Sequence, residues 1–153
     1  MRTQEQCRRL AIDEKLVNKY MPGFRFYDKT GDTYVEGSVT PNGTSNGYRL
    51  RLDIPPDYPN SQPQLFVTSP VTLWKHRGRG KINDEGVSHC FHTLGTRHGG
   101  CVEICTVRDW DASMTCVKLL IMGVMWLEAY TQHLQTGESI NERLEKMRRL
   151  IKS

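Results

Sequence analysis

The chain has 153 residues, 37% of them hydrophobic and 25% charged, a balance that suits one globular domain with its own core and excludes collagenous or disordered classes. Its formal net charge of +4 comes from 21 basic and 17 acidic residues, too small an excess to mark a nucleic-acid binder. Five cysteines with no apolar leader before them argue against a secreted disulfide framework, and the longest apolar run, 119–127, is far short of the ~20 residues a bilayer crossing needs, so the expectation is a cytoplasmic protein with no membrane or nucleic acid among its partners.

Residues 3–20, TQEQCRRLAIDEKLVNKY, place Cys7, Leu10, Ala11, Leu16 and Val17 near helical spacing, and Pro22-Gly23 ends the pattern. This predicts an amphipathic first helix. Over 24–54 the apolar residues Phe24, Phe26, Tyr34, Val35, Val39, Tyr48, Leu50, Leu52 and Ile54 fall largely on period two, with turn residues at 30–32, 41–43 and 46–47. Three antiparallel strands joined as a meander follow. QLFVTS, framed by Pro63 and Pro70, predicts a fourth strand.

Residues 71–100 hold few periodic apolar positions and many Gly, His, Arg and Asn. A loop of that length inside a compact domain is the place to look for a site. After Trp110 the positions Val117, Leu120, Ile121, Val124, Met125, Leu127, Tyr130 and Leu134 sustain a broad-faced core helix as far as Gly137. Ser139 and Glu142 form an S-x-x-E capping box that opens a last amphipathic helix, INERLEKMRRLIK. With no repeat or linker visible, the expectation is a single α+β domain over 1–153. Its parts are an N-terminal helix, a four-stranded antiparallel meander sheet, a long active-site loop and C-terminal helices.

The stretch SHCFHTLGTRHGGCVEICTVRDW, 88–110, concentrates three cysteines, three histidines and three glycines. Cys90, His92, His98, Cys101 and Cys105 read C-x-H-x5-H-x2-C-x3-C, and zinc accepts such ligands tetrahedrally. Only Cys101 and Cys105 have the spacing of a paired zinc knuckle, so no metal ligands are assigned. A zinc-binding interaction module built on 90–105 stays as an alternative.

The segment YRLRLDIPPDYPNSQPQLFVTSP, 48–70, resembles the part of ubiquitin-conjugating enzymes in which a strand runs into an aliphatic-Pro-x-x-Tyr-Pro turn and then a Pro-led strand. Downstream, a His, a Gly-rich turn, a Cys in an aliphatic context, a Trp and a Ser/Thr-rich helix start recur in the family's order. Eukaryotic members carry His-Pro-Asn before the active cysteine; here FHTL puts Thr93 and Leu94 after His92. VEICTVRDWDASMT followed by VMWLEAYTQHLQTG is more similar to prokaryotic ubiquitin-conjugating-like proteins of bacterial conjugation operons, some of them implicated in antiphage defence.

The resemblance implies an acyltransferase of the ubiquitin-conjugating-enzyme fold that needs no cofactor. Such a protein accepts a ubiquitin-like protein from an activating enzyme as a cysteine thioester and passes it to a target protein. It also implies docking of the activating enzyme on the first helix, where Arg8, Arg9 and Lys15 lie.

A thiolate both attacks and leaves readily, which is why such a carrier uses cysteine. Local context points to Cys105: Val102 and Ile104 anchor alternate positions before it, and Trp110 follows five residues on, placed to buttress the site. Family spacing points to Cys101, directly after Gly99-Gly100 and midway between His92 and Trp110. Cys105 is preferred and Cys101 retained.

Cys7 and Cys116, inside predicted helices, read as small buried hydrophobes. His92 reads as the organiser of the loop through a backbone hydrogen bond. The family's Asn, held to stabilise the oxyanion, has no counterpart after His92, so Thr93, Thr106, His89 or backbone N–H groups would replace it. Its loss favours a second alternative, an inactive adaptor. Asp109 and Asp111 either serve an incoming lysine or complement a helix macrodipole, and Glu103 is expected to be exposed.

Overall fold

The structure, a computed structural model, describes residues 2–152. Helix α1 spans Gln4–Tyr20 and starts where a capping box allows it: Thr3 Oγ1 accepts from the Gln6 N–H at 3.1 Å while Gln6 Oε1 accepts from the Thr3 N–H at 2.7 Å. It buries Leu10, Asp13 and Val17. Cys7 is exposed, contrary to expectation. It lines an open pocket between α1 and the turn around Lys29 and Thr30 instead of entering the core.

Strands β1 (Arg25–Tyr27), β2 (Tyr34–Val39), β3 (Tyr48–Asp53) and β4 (Gln64–Ser69) form the expected antiparallel meander. The sheet does not stop there. Seven strands, not four, are paired in the order β1-β2-β3-β4-β7-β6-β5, the last three being β5 (Val87–Ser88), β6 (Thr93–Arg97) and β7 (Cys101–Ile104). β7 returns antiparallel to β4, with Leu65 opposite Ile104. The stretch expected to be loop is therefore partly sheet, ordered by pairing to the β4 edge and not by an apolar face of its own.

Helix α2, Cys116–Thr136, lies on one face of the sheet. Leu119, Leu120 and Leu127 share a core with Leu50, Leu52, Leu65, Val67, Val102 and Ile104. Gly123 permits the close approach: a Cβ there would stand 2.7 Å from Leu65 Cδ2 and 3.0 Å from Leu50 Cδ1. Gly137, at φ 81°, ends the helix, and α3 (Ile140–Lys152) follows, capped by Ser139 Oγ on the Glu142 N–H at 3.1 Å.

α2 also fastens the 71–100 excursion. The Tyr130 hydroxyl donates to Trp74 O at 2.7 Å, Trp126 Nε1 donates to Phe91 O at 2.8 Å, and His133 Nε2 accepts from the His76 N–H at 3.2 Å. Leu73 and Ile82 are buried beneath it. At the opposite end the Tyr-Pro turn performs a similar function. The Tyr58 hydroxyl donates to Asp13 Oδ2 at 2.6 Å, and Asp13 Oδ1 accepts from the Cys116 N–H at 3.1 Å. One fully buried carboxylate thus joins α1, the turn and the start of α2. Burial raises the pKa of the Tyr58 hydroxyl, which keeps it a neutral donor.

Candidate functional site

The two candidate cysteines bracket β7: Cys101 opens the strand and Cys105 follows its last residue. Val102 and Ile104 join the core under α2, so strand alternation turns Cys101 and Glu103 to the opposite sheet face. Glu103 was expected to be exposed. It is 4% exposed, held between Arg97 Nε at 3.2 Å and Gln64 Nε2 at 3.3 Å.

Cys101 emerges from an unusual turn. His98, Gly99 and Gly100 have φ of 53°, 79° and 99°, three consecutive left-handed residues, one of which is not glycine. A carboxamide that the sequence did not single out fixes the turn. Asn83 Nδ2 donates to Gly100 O at 2.9 Å and to Val71 O at 2.7 Å, while its Oδ1 accepts from the Leu73 N–H at 2.8 Å. His98 Nε2 lies 2.6 Å from Asp53 Oδ2, and its ring meets Phe66 edge-on at 4.8 Å. Cys101 is 4% exposed, and its thiol donates to His98 O at 3.4 Å. Burial pushes the thiol pKa up, and the charge of Arg51 opposes the shift.

Cys105 is half-buried, and its N–H donates to His92 O at 2.9 Å. His92, at φ 51°, bonds through Nε2 to Asn141 Oδ1 at 2.6 Å. The imidazole partner is therefore a side chain of α3 and not the expected backbone group. The Asn141 N–H in turn donates to Cys90 O at 2.9 Å, so α3 clamps the 90–92 segment twice. Burial lowers the His92 pKa, with the Asn141 hydrogen bond opposing it. Burial raises that of the Cys105 thiol, while Arg108 and Arg148 oppose the rise and Glu103 adds to it. Clefts of 410 Å³ and 350 Å³ both reach Cys105.

The remaining expected residues follow β7 in the connection to α2. Trp110 donates from Nε1 to Pro59 O at 2.7 Å, and its ring stands 6.2 Å from that of Tyr58. Asp109 is exposed in the turn between β7 and α2. Because α2 begins at Cys116 with no acid in its first turn, neither Asp109 nor Asp111 complements its macrodipole. The Ser113 side chain, together with the Ser113 N–H that Asp111 accepts from at 2.7 Å, holds the Asp111 carboxyl below the usual range.

Of the three basic residues expected on α1, Arg9 turns inward, donating to Ala112 O, Met114 O and Asp13, whereas Arg8 and Lys15 are exposed. Among the described residues no three His, Cys, Asp or Glu side chains converge on a metal position. Cys101 and Cys105 stand at opposite ends of a strand, ~13 Å apart at ~3.3 Å per residue. The zinc alternative thus lacks a ligand set.

Asn83, Asn141 and Arg148 escaped the sequence reading because each reaches the site from a distant segment. Nothing in INDE, INER or MRRL marks them. Among the described residues no helix is long and apolar enough to cross a membrane. Searches among curated proteins and among solved structures give no match. A family model described as type II CBASS E2 protein matches residues 13–142. The chain belongs to that family, the bacterial ubiquitin-conjugating-like proteins of antiphage conjugation operons.

Proposed function

We propose that the chain is a single ubiquitin-conjugating-enzyme-like domain that carries a ubiquitin-like protein as a thioester on Cys101 and passes it to a target. Family membership supplies the coarse role, conjugating-enzyme-like action in a bacterial antiphage pathway, with an activating enzyme and a ubiquitin-like protein as partners. The observation that carries the finer reading is the turn before Cys101, three left-handed residues whose last carbonyl is held by Asn83. Glycine adopts positive φ freely, so the strain lies at His98, and strained non-glycine residues cluster at reactive positions. The turn also leaves bare backbone beside the thiol, since a Cβ on Gly99 would meet nothing within 4 Å.

In the charging step the Cys101 sulfur attacks the carbonyl of the donor thioester. A new C–S bond forms, the old one breaks, and the activating enzyme's thiol departs with the proton. In discharge an acceptor nucleophile takes the acyl group and Cys101 leaves as thiolate. Asn83 spends its carboxamide on backbone groups, so it acts as a positioning residue. His98 accepts from the Cys101 thiol through its carbonyl, a bond that the sulfur gives up as it attacks. Arg8 and Lys15 form the docking charge on α1, and Asp109 is free to meet an acceptor amine.

The greater exposure of Cys105 and its two clefts favour a second reading, with Cys105 as the carrier. Serine replacement separates the two: it converts a reducible thioester into a reductant-resistant oxyester at the carrier residue alone. Cys101→Ser is expected to give the oxyester, and Cys105→Ser an ordinary thioester.

A further inference from the structure

The cleft at the far end of β7 has a chemistry of its own. Its 410 Å³ are enclosed by the β5–β6 hairpin, residues 105–108 and α3. On the hairpin side Val87 and Leu94 face each other across the strand pair and are 81% and 41% exposed, an aliphatic pair with no core role. Across from them Arg108 and Arg148 line the same cleft. Both side chains act electrostatically on Cys105, and among the described residues neither has an ion-pair or hydrogen-bond partner. His89 lines the same wall, while His92 already spends its Nε2–H on Asn141.

We propose that this cleft binds an acidic segment of a partner protein, which sets an aliphatic side chain on Val87 and Leu94 and carboxylates on Arg108 and Arg148. Charge complementarity selects the acidic class. The exposed aliphatic pair selects a peptide over a bare phosphate, which would leave Val87 and Leu94 in water. The inference goes beyond the transfer role and rests on Cys101 as the carrier, since a carrier at Cys105 would make this cleft part of the transfer site.

The test is fluorescence anisotropy with the full chain and a labelled peptide of alternating Leu and Glu, against the same peptide with Lys for Glu. The acidic peptide is expected to bind saturably and to weaken as salt is added. Binding should fall by about tenfold or more in Arg108→Glu/Arg148→Glu and in Val87→Ser/Leu94→Ser. Arg108→Lys/Arg148→Lys should retain most of it, which separates lost charge from lost fold. Equal binding of the Lys peptide, undiminished binding by the Glu variant, no saturable binding at all, or equally tight binding of pyrophosphate alone would each overturn the proposal. Thioester formation, measured separately on the same proteins, reports on the transfer role, so the failure of one reading is distinguished from the failure of the other.

Discussion

At the scale of single residues, the structure separates the five cysteines by their exposure. Cys7, Cys90 and Cys105 are open to solvent to differing degrees, while Cys101 and Cys116 are buried. Alkylation of the resting protein with iodoacetamide, followed by peptide mass spectrometry, should therefore modify the first three ahead of the other two. Burial also holds the Cys116 thiol neutral beside Asp13, which makes it the slowest of all. A Cys101 that alkylates as fast as Cys7 would show that the turn at 98–100 stands open at rest.

Asn83 is the side chain on which the turn before Cys101 depends. Replacing it with alanine strands the Leu73 N–H and two carbonyls, a cost of roughly 1–3 kcal/mol. Charging should also slow by about tenfold at a temperature where the variant remains folded, if Asn83 positions Cys101. A variant that loses stability and charges at the normal rate would reduce Asn83 to a structural brace. The sequence exposed the cysteines and His92 because residue type alone flags them. It hid Asn83 and Asn141 because a carboxamide earns a role only from what folding brings opposite it.

At the scale of elements, legibility followed periodicity. α1, β1 to β3, α2 and α3 were readable because each turns one face to a single core, leaving a 3.6-residue or two-residue pattern. β4, buried at Leu65, Phe66 and Val67 in succession, was readable instead from the prolines that frame it. β5, β6 and β7 were not. β5 has two residues, β6 buries only Thr93, and β7 is buried at all four positions, so none alternates. Their order comes from strand pairing and from α2, which holds the excursion through Trp126, Tyr130 and His133.

The last of these contacts depends on pH. His133 Nδ1 donates to Glu138 O at 2.9 Å, which leaves Nε2 as the acceptor for His76; protonation removes that acceptor. Burial lowers the pKa of both His133 and His92 from 6.5. The unfolded chain takes up these protons near its ordinary pKa and the folded chain resists them. Stability is thus fully present above that value and declines as pH falls below it. Thermal melts should show a lower Tm at about pH 5.5 than at about pH 7.5, with a smaller difference in His133→Gln. An unchanged difference in that variant would place the titration elsewhere.

At the scale of the whole molecule, β7 is a spine with two ends. One end presents Cys101 on a strained turn held by Asn83; the other opens at Cys105 into a basic cleft bordered by α3. The family was readable from the Tyr-Pro turn and the order of His, Gly-Gly, Cys and Trp. The physical reason for that turn became visible only in three dimensions, where Tyr58 reaches Asp13 and Trp110 closes on Pro59. Trp110 was expected to buttress the nucleophile, and its indole N–H is fastened to this turn. The choice between the two cysteines is where the sequence was least decisive, since local context and spacing disagreed by one strand length.

The most direct measurement is intact-protein mass spectrometry of the native chain, Cys101→Ser and Cys105→Ser after incubation with the cognate activating enzyme, ATP and ubiquitin-like protein. The account predicts an adduct removed by thiol reductant on the native chain and on Cys105→Ser, and a reductant-resistant adduct on Cys101→Ser. A resistant adduct on Cys105→Ser instead would move the chemistry to the other end of the strand. No adduct on any of the three would contradict thioester transfer and leave an adaptor of the same family.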